Sequence, residues 1–467
     1  MMNSLSRSLF FGILSTVIGL MGCTRTPYDS SLPQSTELGN PEGYRIARVI
    51  SHFHSPYSWD ACDKAGLNGT QIDTDCLHRL KNAFCQNRVD TVFMTDHPDS
   101  MAKFEMPDLL LKEDGDQLIN SAAGTPYANQ LGSCANGAKP VIMVGFEARM
   151  MGLGMTNHLA GSPTDRQTLY GNENADLRSR VQNQANGVVI VPHTESRSLS
   201  MLRSVSPDGI EIYNIHANLD PKIRKTSLGL DPFSHIAAIL AYLLDSDKKL
   251  IPDFLFMHFV MVHPSYFQKW DQLEFENFKM AGWGGTDSHE NIFPQKASDG
   301  ERLDSHRRLT RFMSNHLLVH SLDPEEIKAA LKKGRGSVVF EGFGSPVGMD
   351  FSATTTSGTY VMGDSVSLAG GSAQLHVVAP TLHSSSPKGQ EAPLIRMELR
   401  QVIAGGQDQV VASSSGGDIQ YTATAPGAYR VHVYITPKHL RPFLANFSSV
   451  CDAEYQWIIT NHIYLDP

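Results

Sequence analysis

Short β-branched runs recur along the first three quarters of the chain, and each is followed by a longer stretch with helical spacing. The runs are "YRIARVISHFH", "VDTVFMTDH", "KPVIMVGFEARM", "NGVVIVPHT", "DGIEIYNIH", "AGWGGTDSHE" and "GSVVFEG". Alternating strands and helices predict an α/β domain with parallel strands, which we place at residues 46–345. So many repeats suit a barrel better than an open sheet, although periodicity alone does not decide between them.

The pattern changes near residue 346. From there to residue 467 the chain alternates apolar and polar positions, is rich in Thr, Val and Ser, and is interrupted by Gly-containing turns. Several short strands joined by turns predict a smaller all-β sandwich domain. This part shows no catalytic pattern, so a glycan or a protein is its candidate partner.

The N-terminal segment has the pattern of an export signal. Arg7 precedes the apolar core "LFFGILSTVIGLM", which is too short for a comfortable membrane span and ends in "LMGC". This ending resembles the bacterial lipoprotein signal, which implies removal of residues 1–22 and lipidation of Cys23. An ordinary secretory signal with an incidental cysteine is the alternative. Thr24 at the next position implies the outer membrane, and residues 23–45 predict a tether.

Composition and charge exclude two classes of protein. A hydrophobic content of 41% and a charged content of 19% are typical of a globular chain, not of a disordered one. The net charge of −9 leaves no basic surplus, so we expect no nucleic-acid partner. We expect contact with the membrane through the lipid anchor only.

Five cysteines remain after Cys23 is set aside. Four of them lie in the first third of the mature chain, and the oxidising cell envelope permits disulfides there. These four allow three connectivities. We hypothesise that Cys62 pairs with Cys76 and that Cys85 pairs with Cys134, which leaves Cys451 unpaired.

Polar side chains fall where the predicted strands end. They are His52, His54, His97, Glu147, His193, Asp287 and His289. Active sites of barrels and open α/β sheets form outside the carboxyl ends of parallel strands. Two residues that lie two apart on a strand point to the same face, so His52 and His54 can share one metal. Imidazole and carboxylate together suit zinc, manganese or iron.

The order of the motifs adds a resemblance. "HFHSPYSWD", "MTDH", "GFEAR", "NHLAG", "VPHT", "GIEIYN" and "GTDSHE" together resemble the PHP (polymerase and histidinol phosphatase) family of metal-dependent phosphoesterases. The resemblance covers roughly residues 46–345 and implies a distorted (β/α)7 barrel that holds two or three divalent metal ions. The C-terminal part resembles the extension of PHP-type lipoproteins.

The resemblance also implies a role for each residue. A first metal would be held by His52, His54, Glu147 and Asp287. Glu147 would bridge to a second metal, which His158 and His193 would complete. A third metal would be held by Asp60, His97 and His289. Glu211 would support the site from the scaffold.

Clustered divalent metals favour phosphate ester hydrolysis, because they lower the pKa of water and stabilise charge on phosphoryl oxygens. We therefore predict a phosphorylated small molecule as the substrate. Glu147 and Asp287 are the predicted catalytic carboxylates. Arg149 and Arg197 follow Glu147 and His193 closely and are the predicted catalytic arginines, since arginine binds phosphoryl oxygens in a bidentate manner.

Two other functions compete with this one. A surface protein could use the same scaffold for binding without catalysis. A metal-dependent hydrolase of the amidohydrolase type also begins its barrel with an H-x-H pair. The late D-x-H motif and the missing barrel-strand lysine favour the phosphoesterase.

Overall fold

The structure is a computed structural model that describes residues 28–132, 134–389 and 391–467. The predicted signal peptide, Cys23 and the first residues of the tether lie outside this range. Among the described helices, none has the length and apolar character needed to pass through a bilayer.

The first part of the chain alternates strands and helices. Its strands are β1 Arg45–Phe53, β2 Leu67–Asn68, β3 Gln71–Ile72, β4 Thr91–Met94, β5 Gln117–Asn120, β6 Pro126–Gln130, β7 Val141–Val144, β8 Phe146–Glu147, β9 Met151–Leu153, β10 Val188–Val191, β11 Gly209–Asn214, β12 Ala281–Gly285, β13 Ser314–Val319 and β14 Gly336–Val339. Its α-helices are α1 Thr74–Gln86, α2 Pro98–Met101, α3 Met106–Leu109, α4 Pro163–Tyr170, α5 Ala175–Gln184, α6 Leu199–Val205, α7 Ile215–Leu219, α8 Pro221–Thr226, α9 Ile236–Leu243, α10 Pro264–Phe275, α11 His306–Phe312 and α12 Pro324–Lys333.

The last part is almost entirely strand. Its strands are β15 Pro346–Val347, β16 Asp350–Thr355, β17 Gly358–Val361, β18 Ser365–Ser367, β19 Ala373–Val378, β20 Thr381–Leu382, β21 Leu394–Ile403, β22 Gln407–Ser415, β23 Ile419–Ala423, β24 Gly427–Thr436, β25 Tyr455–Thr460 and β26 Ile463–Asp466. Short 3-10 helices occur in both parts, at Ser35–Glu37, Pro41–Gly43, Cys62–Lys64, Thr194–Ser196, Pro252–His258, Glu341–Phe343, Lys438–Phe443 and Ala445–Asp452.

The strands of the α/β part lie in two sheets. β1, β4 and β7 are parallel neighbours in one sheet, and β10, β11 and β12 are parallel neighbours in the other. A mixed α/β fold is therefore confirmed, but the closed (β/α)7 barrel is not. Both edges of β1 are occupied, by β4 and by the antiparallel β13. In the described residues the β12 end of the second sheet consequently meets β1 through one isolated bridge, between Phe53 and Ser288.

The C-terminal strands continue the first sheet. β14 pairs with β25, which leads through β24 to β21, while β16, β17, β19 and β23 form a separate sheet. The buried side chains of Arg430 on β24 and Asp271 on α10 form an ion pair between the two parts. The division into two domains therefore stays a prediction, because one sheet runs through both.

The tether is attached to the α/β part through Arg48, whose guanidinium also forms a buried ion pair. Arg48 on β1 binds Glu341 at 2.8 Å, with both side chains fully buried. The same guanidinium donates to the carbonyl oxygen of Pro33 at 2.9 Å. Losing Glu341 would leave the Arg48 guanidinium as an uncompensated buried charge, which is strongly destabilising.

The disulfide hypothesis is confirmed. Cys62 pairs with Cys76, and Cys85 pairs with Cys134, with Cα–Cα distances of 6.1 and 5.3 Å. Cys451 is a buried thiol without a disulfide. Both bridges hold α1 to the segments around it, and the first attaches Cys62, two residues after Asp60, to α1.

We predict that peptide mapping under non-reducing conditions recovers these two pairs and a free Cys451. Replacing Cys85 and Cys134 together by Ser should lower the free energy of unfolding by about 2–4 kcal/mol, because the unfolded chain loses a cross-link. Urea unfolding followed by tryptophan fluorescence measures this change, with the reduced wild type as the control. Four free thiols in the mapped wild type would contradict the pairing.

Candidate metal centre

The predicted ligands converge outside the carboxyl ends of the strands. His52 lies on β1 and Glu147 on β8, while His97, His193 and Asp287 follow β4, β10 and β12. His193 and Asp287 both adopt a left-handed backbone conformation, with φ of 51°. This conformation is unfavourable for residues other than glycine, and it is typical of side chains held at functional sites.

One group of ligand atoms has tetrahedral dimensions. It consists of His52, His54, Glu147 and Asp287, all of which are buried. The distances from the histidine Nε2 atoms to each other and to the nearest carboxylate oxygens lie between 3.2 and 3.7 Å. Four ligands placed about 2.1 Å from a metal in a tetrahedron are about 3.4 Å apart. The group therefore fits a divalent cation without rearrangement.

A second group lies directly beside the first. It consists of His54, Asp60, His97 and His289. Asp60 Oδ2 lies 3.3 Å from His289 Nε2 and 3.5 Å from His97 Nε2. Because His54 belongs to both groups, two cations bound here would be close neighbours.

Glu147 lies between the groups and a further histidine. Its Oε2 is 3.1 Å from His97 Nδ1 and 3.6 Å from His54 Nε2, while its Oε1 is 3.3 Å from His193 Nε2. His193 Nε2 also lies 3.4 Å from Asp287 Oδ2. The two oxygens of Glu147 thus face different sets of imidazoles, which is the geometry a bridging carboxylate needs.

Five of the histidines near the carboxylates use Nδ1 for a protein partner. His52 donates to Glu211 at 2.6 Å, His97 to the Glu147 carbonyl oxygen at 3.1 Å, His193 to Glu195 at 3.1 Å, and His289 to the Asp287 carbonyl oxygen at 3.0 Å, while His54 Nδ1 lies 2.8 Å from the Ser58 hydroxyl. Carboxylates and carbonyls only accept, so the first four bonds place the proton on Nδ1. Each neutral ring then offers the lone pair of Nε2 to the centre, as metal-binding histidines do.

Several polar atoms of the centre have no hydrogen bond. Among the described residues, Asp60 Oδ1, Asp287 Oδ1 and His289 Nε2 are buried and make none. Burying such groups without a partner is costly. A cation would satisfy all three, so the residues present fit the divalent metals that the sequence predicts.

The pKa values of the groups in the centre are set by burial and by the charges of their neighbours. Burial disfavours the ionised form of Glu147, yet His52 and His193 outweigh it and hold the pKa of that carboxyl well below its usual value. Burial likewise disfavours charge on His52, but Asp287 and Glu211 raise its pKa well above the usual value. Burial lowers the pKa of His54 to about 4. A proton and a cation therefore compete for the same imidazole nitrogens.

The structure brings together all of the predicted metal ligands except His158. The ring of His158 has other partners at both nitrogens, the Tyr170 hydroxyl at 2.9 Å and the Phe104 carbonyl oxygen at 3.0 Å. The loop that follows β9 thus holds this imidazole against α4. The second metal predicted from the resemblance consequently lacks one of its ligands.

The two predicted arginines differ. Arg149 is exposed and pairs with Glu173 at 2.8 Å, so the structure places it outside the centre. Arg197 is partly buried, and its Nε donates to the carbonyl oxygen of Pro192 at 3.3 Å. The Glu147 charge acts on Arg197, although burial prevails and lowers the pKa of its guanidinium. Arg197 is therefore the arginine beside the centre.

Three residues near the centre were not predicted. Glu195 accepts from His193 and from the Tyr266 hydroxyl, and Ser58 accepts from the backbone of His97 and shares a hydrogen bond with His54 Nδ1. The indole of Trp59 is exposed, 6.2 Å from the His97 ring. The H-x-E spacing of His193 and Glu195 is a sequence signal for Glu195. The positions of Ser58 and Trp59 depend on the path of the loop after β1, which the sequence pattern does not give.

Comparisons with known proteins find two solved structures of low similarity to this chain. No family model matches the chain, and no curated protein matches it. A two-domain protein from Bacteroides vulgatus, containing a predicted PHP-like metal-dependent phosphoesterase, aligns with a TM-score of 0.35 and 11% identity over 94% of this chain and 100% of that chain. PsfC from Pseudomonas syringae aligns with a TM-score of 0.32 and 12% identity over 64% of this chain and 93% of that chain.

The first of these structures pairs a PHP-like unit with a second domain, as the sequence resemblance predicts for this chain. TM-scores this low carry no argument about chemistry. The class of the protein therefore follows from its own residues: it is a mixed α/β protein with a buried centre of histidines and carboxylates suited to divalent cations.

We predict that His158→Gln leaves the metal content of the purified protein unchanged, because both nitrogens of His158 already have protein partners. His193→Gln should lower it by at least about tenfold for one metal, since Nε2 is lost between Glu147 and Asp287. Elemental analysis of both variants beside the wild type measures this. Equal losses in the two variants would restore His158 to the ligand set.

Proposed function

We propose that this protein is a metal-dependent phosphoesterase. One observation carries the proposal: five imidazoles with anchored Nδ1 atoms and three carboxylates face one another in a small buried volume, and several of their atoms are unsatisfied. Clusters of this composition are typical of sites with two or more divalent cations. The sequence resemblance to the PHP family supports the phosphate ester as the substrate.

The ligand sets point to two or three cations of zinc, manganese or iron. The first would be held by His52, His54, Glu147 and Asp287, and the second by Asp60, His97 and His289. His193 with Glu147 could contribute to a third. When bound, such cations supply Lewis acidity toward a phosphoryl group and a lowered pKa for water.

The exposure of the ligand side chains indicates from which side a substrate reaches the centre. The side chains of His52 and His54 are fully buried, whereas those of Asp60, His97 and His193 keep 15%, 22% and 21% of their surface exposed. The substrate therefore enters on the side of these three residues. Trp59 lies at this mouth and offers a flat apolar surface to a substrate ring.

Arg197 is the side chain best placed to hold the phosphoryl group. It lies near Glu147, and its guanidinium makes one hydrogen bond to a carbonyl oxygen in the described residues. Its remaining donors are available for two phosphoryl oxygens, and its planar shape orients them.

We predict that a chelator abolishes hydrolysis of a generic phosphomonoester and that zinc or manganese restores it. Glu147→Gln should lower both the metal content and the rate, the rate by at least about a hundredfold, because the charge between the cations is lost while the shape is kept. Elemental analysis beside phosphate release measures both effects.

Asp60→Asn is the matched comparison for Glu147→Gln. Asp60 faces only the second group, so its loss should affect fewer metals and have a smaller effect on the rate. Wild-type metal content and rate in Glu147→Gln would disprove the bridging role. Chelator-sensitive cleavage of amides without cleavage of phosphate esters would replace the phosphoesterase by an amidohydrolase-like enzyme, and bound metal without any turnover would indicate a binding protein.

We also propose that the protein is anchored by a lipid at Cys23 in the bacterial cell envelope, most simply in the outer membrane. The "LMGC" motif supports this placement, and the envelope suits the two disulfides. A glycan or protein partner for the C-terminal strands stays a prediction.

We predict that Cys23→Ser blocks processing or releases the protein from membranes, because acylation requires the thiol. Membrane fractionation with the mass of the N-terminal peptide measures this. A wild-type protein found in the soluble fraction with an unmodified Cys23 would disprove the anchor.

A further inference from the structure

The segment around α9 is unusually apolar for a surface. Residues 232–244, "PFSHIAAILAYLL", contain no Asp, Glu, Lys or Arg, and Asp231 and Asp245 flank them. Only the inner side of this segment is packed, through Ala238 and Tyr242, which are buried. The segment therefore presents two different faces.

The outer face forms one continuous apolar stripe. Ile236, Leu240 and Leu244 follow one another at spacings of four residues, which places them on one side of α9 and at its C-terminal end, and Phe233 precedes the helix by three residues. Their exposed fractions are 64%, 44%, 49% and 75%. We call these four residues the α9 stripe. A contiguous exposed patch of large apolar side chains marks an interaction surface.

The α9 stripe lies close to the point where the tether reaches the folded part. Tyr242 of α9 packs on His258 with ring centroids 5.9 Å apart, and Tyr28 packs on Phe254 at 5.3 Å. His258 and Phe254 belong to the same seven-residue 3-10 helix, Pro252–His258. Since such a helix rises about 2 Å per residue, α9 and Tyr28 pack on one segment about 14 Å long.

Cys23 precedes Tyr28 by five residues, which span at most about 18 Å when fully extended. A lipid on Cys23 would therefore hold this side of the protein against the bilayer. The four side chains of the α9 stripe carry no charge, so their own insertion requires no desolvation of a charged group. The eight-residue helix is about 12 Å long, which is too short to span a bilayer but sufficient to lie along its surface.

We propose that the α9 stripe rests in the interfacial layer of the phospholipid membrane that carries the lipid anchor. The proposal relies on the proposed lipidation of Cys23 and is independent of the proposed phosphoesterase activity. It adds a second membrane contact to the anchor, and it gives the protein a defined orientation.

The orientation has a consequence for the metal centre. α7 and α8 lead directly into the α9 segment, and the ring of His216 on α7 lies 5.1 Å from that of His289. The wall of the centre and the membrane contact thus belong to one continuous stretch of chain. A membrane-bound α9 would therefore fix the orientation of this stretch of chain relative to the lipid.

The test uses the full-length lipidated protein, reconstituted in vesicles of phosphatidylethanolamine and phosphatidylglycerol. A nitroxide is attached to Leu240→Cys, and its collision rates with oxygen and with a water-soluble nickel chelate are measured. Oxygen concentrates in lipid and the chelate in water, so the oxygen-to-nickel ratio at position 240 should exceed that of a water-exposed site by about tenfold. The buried Cys451 of the unaltered protein provides the labelling background.

Val410→Cys is the matched control, because Val410 on β22 is an exposed apolar residue with 45% exposure in the C-terminal part. A nitroxide at position 410 should report water. The same ratio at 240 and 410 would overturn the proposal. Exclusion of both reagents at 240, with magnetic coupling between labels, would assign the stripe to a second copy of the chain instead.

The mass of the N-terminal peptide separates the two proposals. If Cys23 is acylated and position 240 reports water, the membrane contact of α9 is wrong while the anchor stands. If Cys23 is not acylated, the anchor is wrong, and the membrane contact that relies on it is overturned as well.

Discussion

The centre of this protein depends on buried carboxylates that lie among imidazoles. Glu147 and Asp287 are placed in the interior with few hydrogen-bond donors other than histidine, and a buried charge must be compensated. Either a bound cation or protons on the histidines can compensate the negative charge of these two carboxylates. The anchored Nδ1 atoms favour the cation, because they leave each Nε2 as a lone pair directed at the carboxylates.

The scaffold holds these side chains rigidly for reasons that lie outside the centre. β1 carries His52 and, through Arg48, a buried ion pair with Glu341, so the strand is held on both faces. Glu211 on β11 accepts from His52 Nδ1 and from the backbone of His193, and it therefore couples two ligands from different strands. Asp60 lies on no strand, and the disulfide between Cys62 and Cys76 attaches the chain two residues after it to α1.

The C-terminal strands are part of this support rather than an appendage. β25 extends the sheet of β14, and Asn461 bonds Gly282 on β12, the strand that leads to Asp287. The apolar segment around α9 connects α8 to the 3-10 helix Pro252–His258, and we propose that its exposed stripe rests on the membrane. Tyr242 of α9 also packs on Phe447 of the C-terminal part, with ring centroids 6.3 Å apart.

The sequence by itself determined the mixed α/β order and the candidate strand-end ligands, because strand periodicity and residue chemistry are local properties. His52, His54 and Asp287 could be predicted in this way. The cysteine pairing was one of the three connectivities that the sequence allowed, and the structure decided it. The tertiary structure alone decided the rest. Closure of the barrel depends on which strand takes the second edge of β1, and β13 occupies it. His158 lies on the predicted motif, yet Tyr170 and Phe104 hold its ring away from the centre. Whether Arg149 or Arg197 faces Glu147 depends on loop paths, which are set by long-range packing that no local pattern encodes.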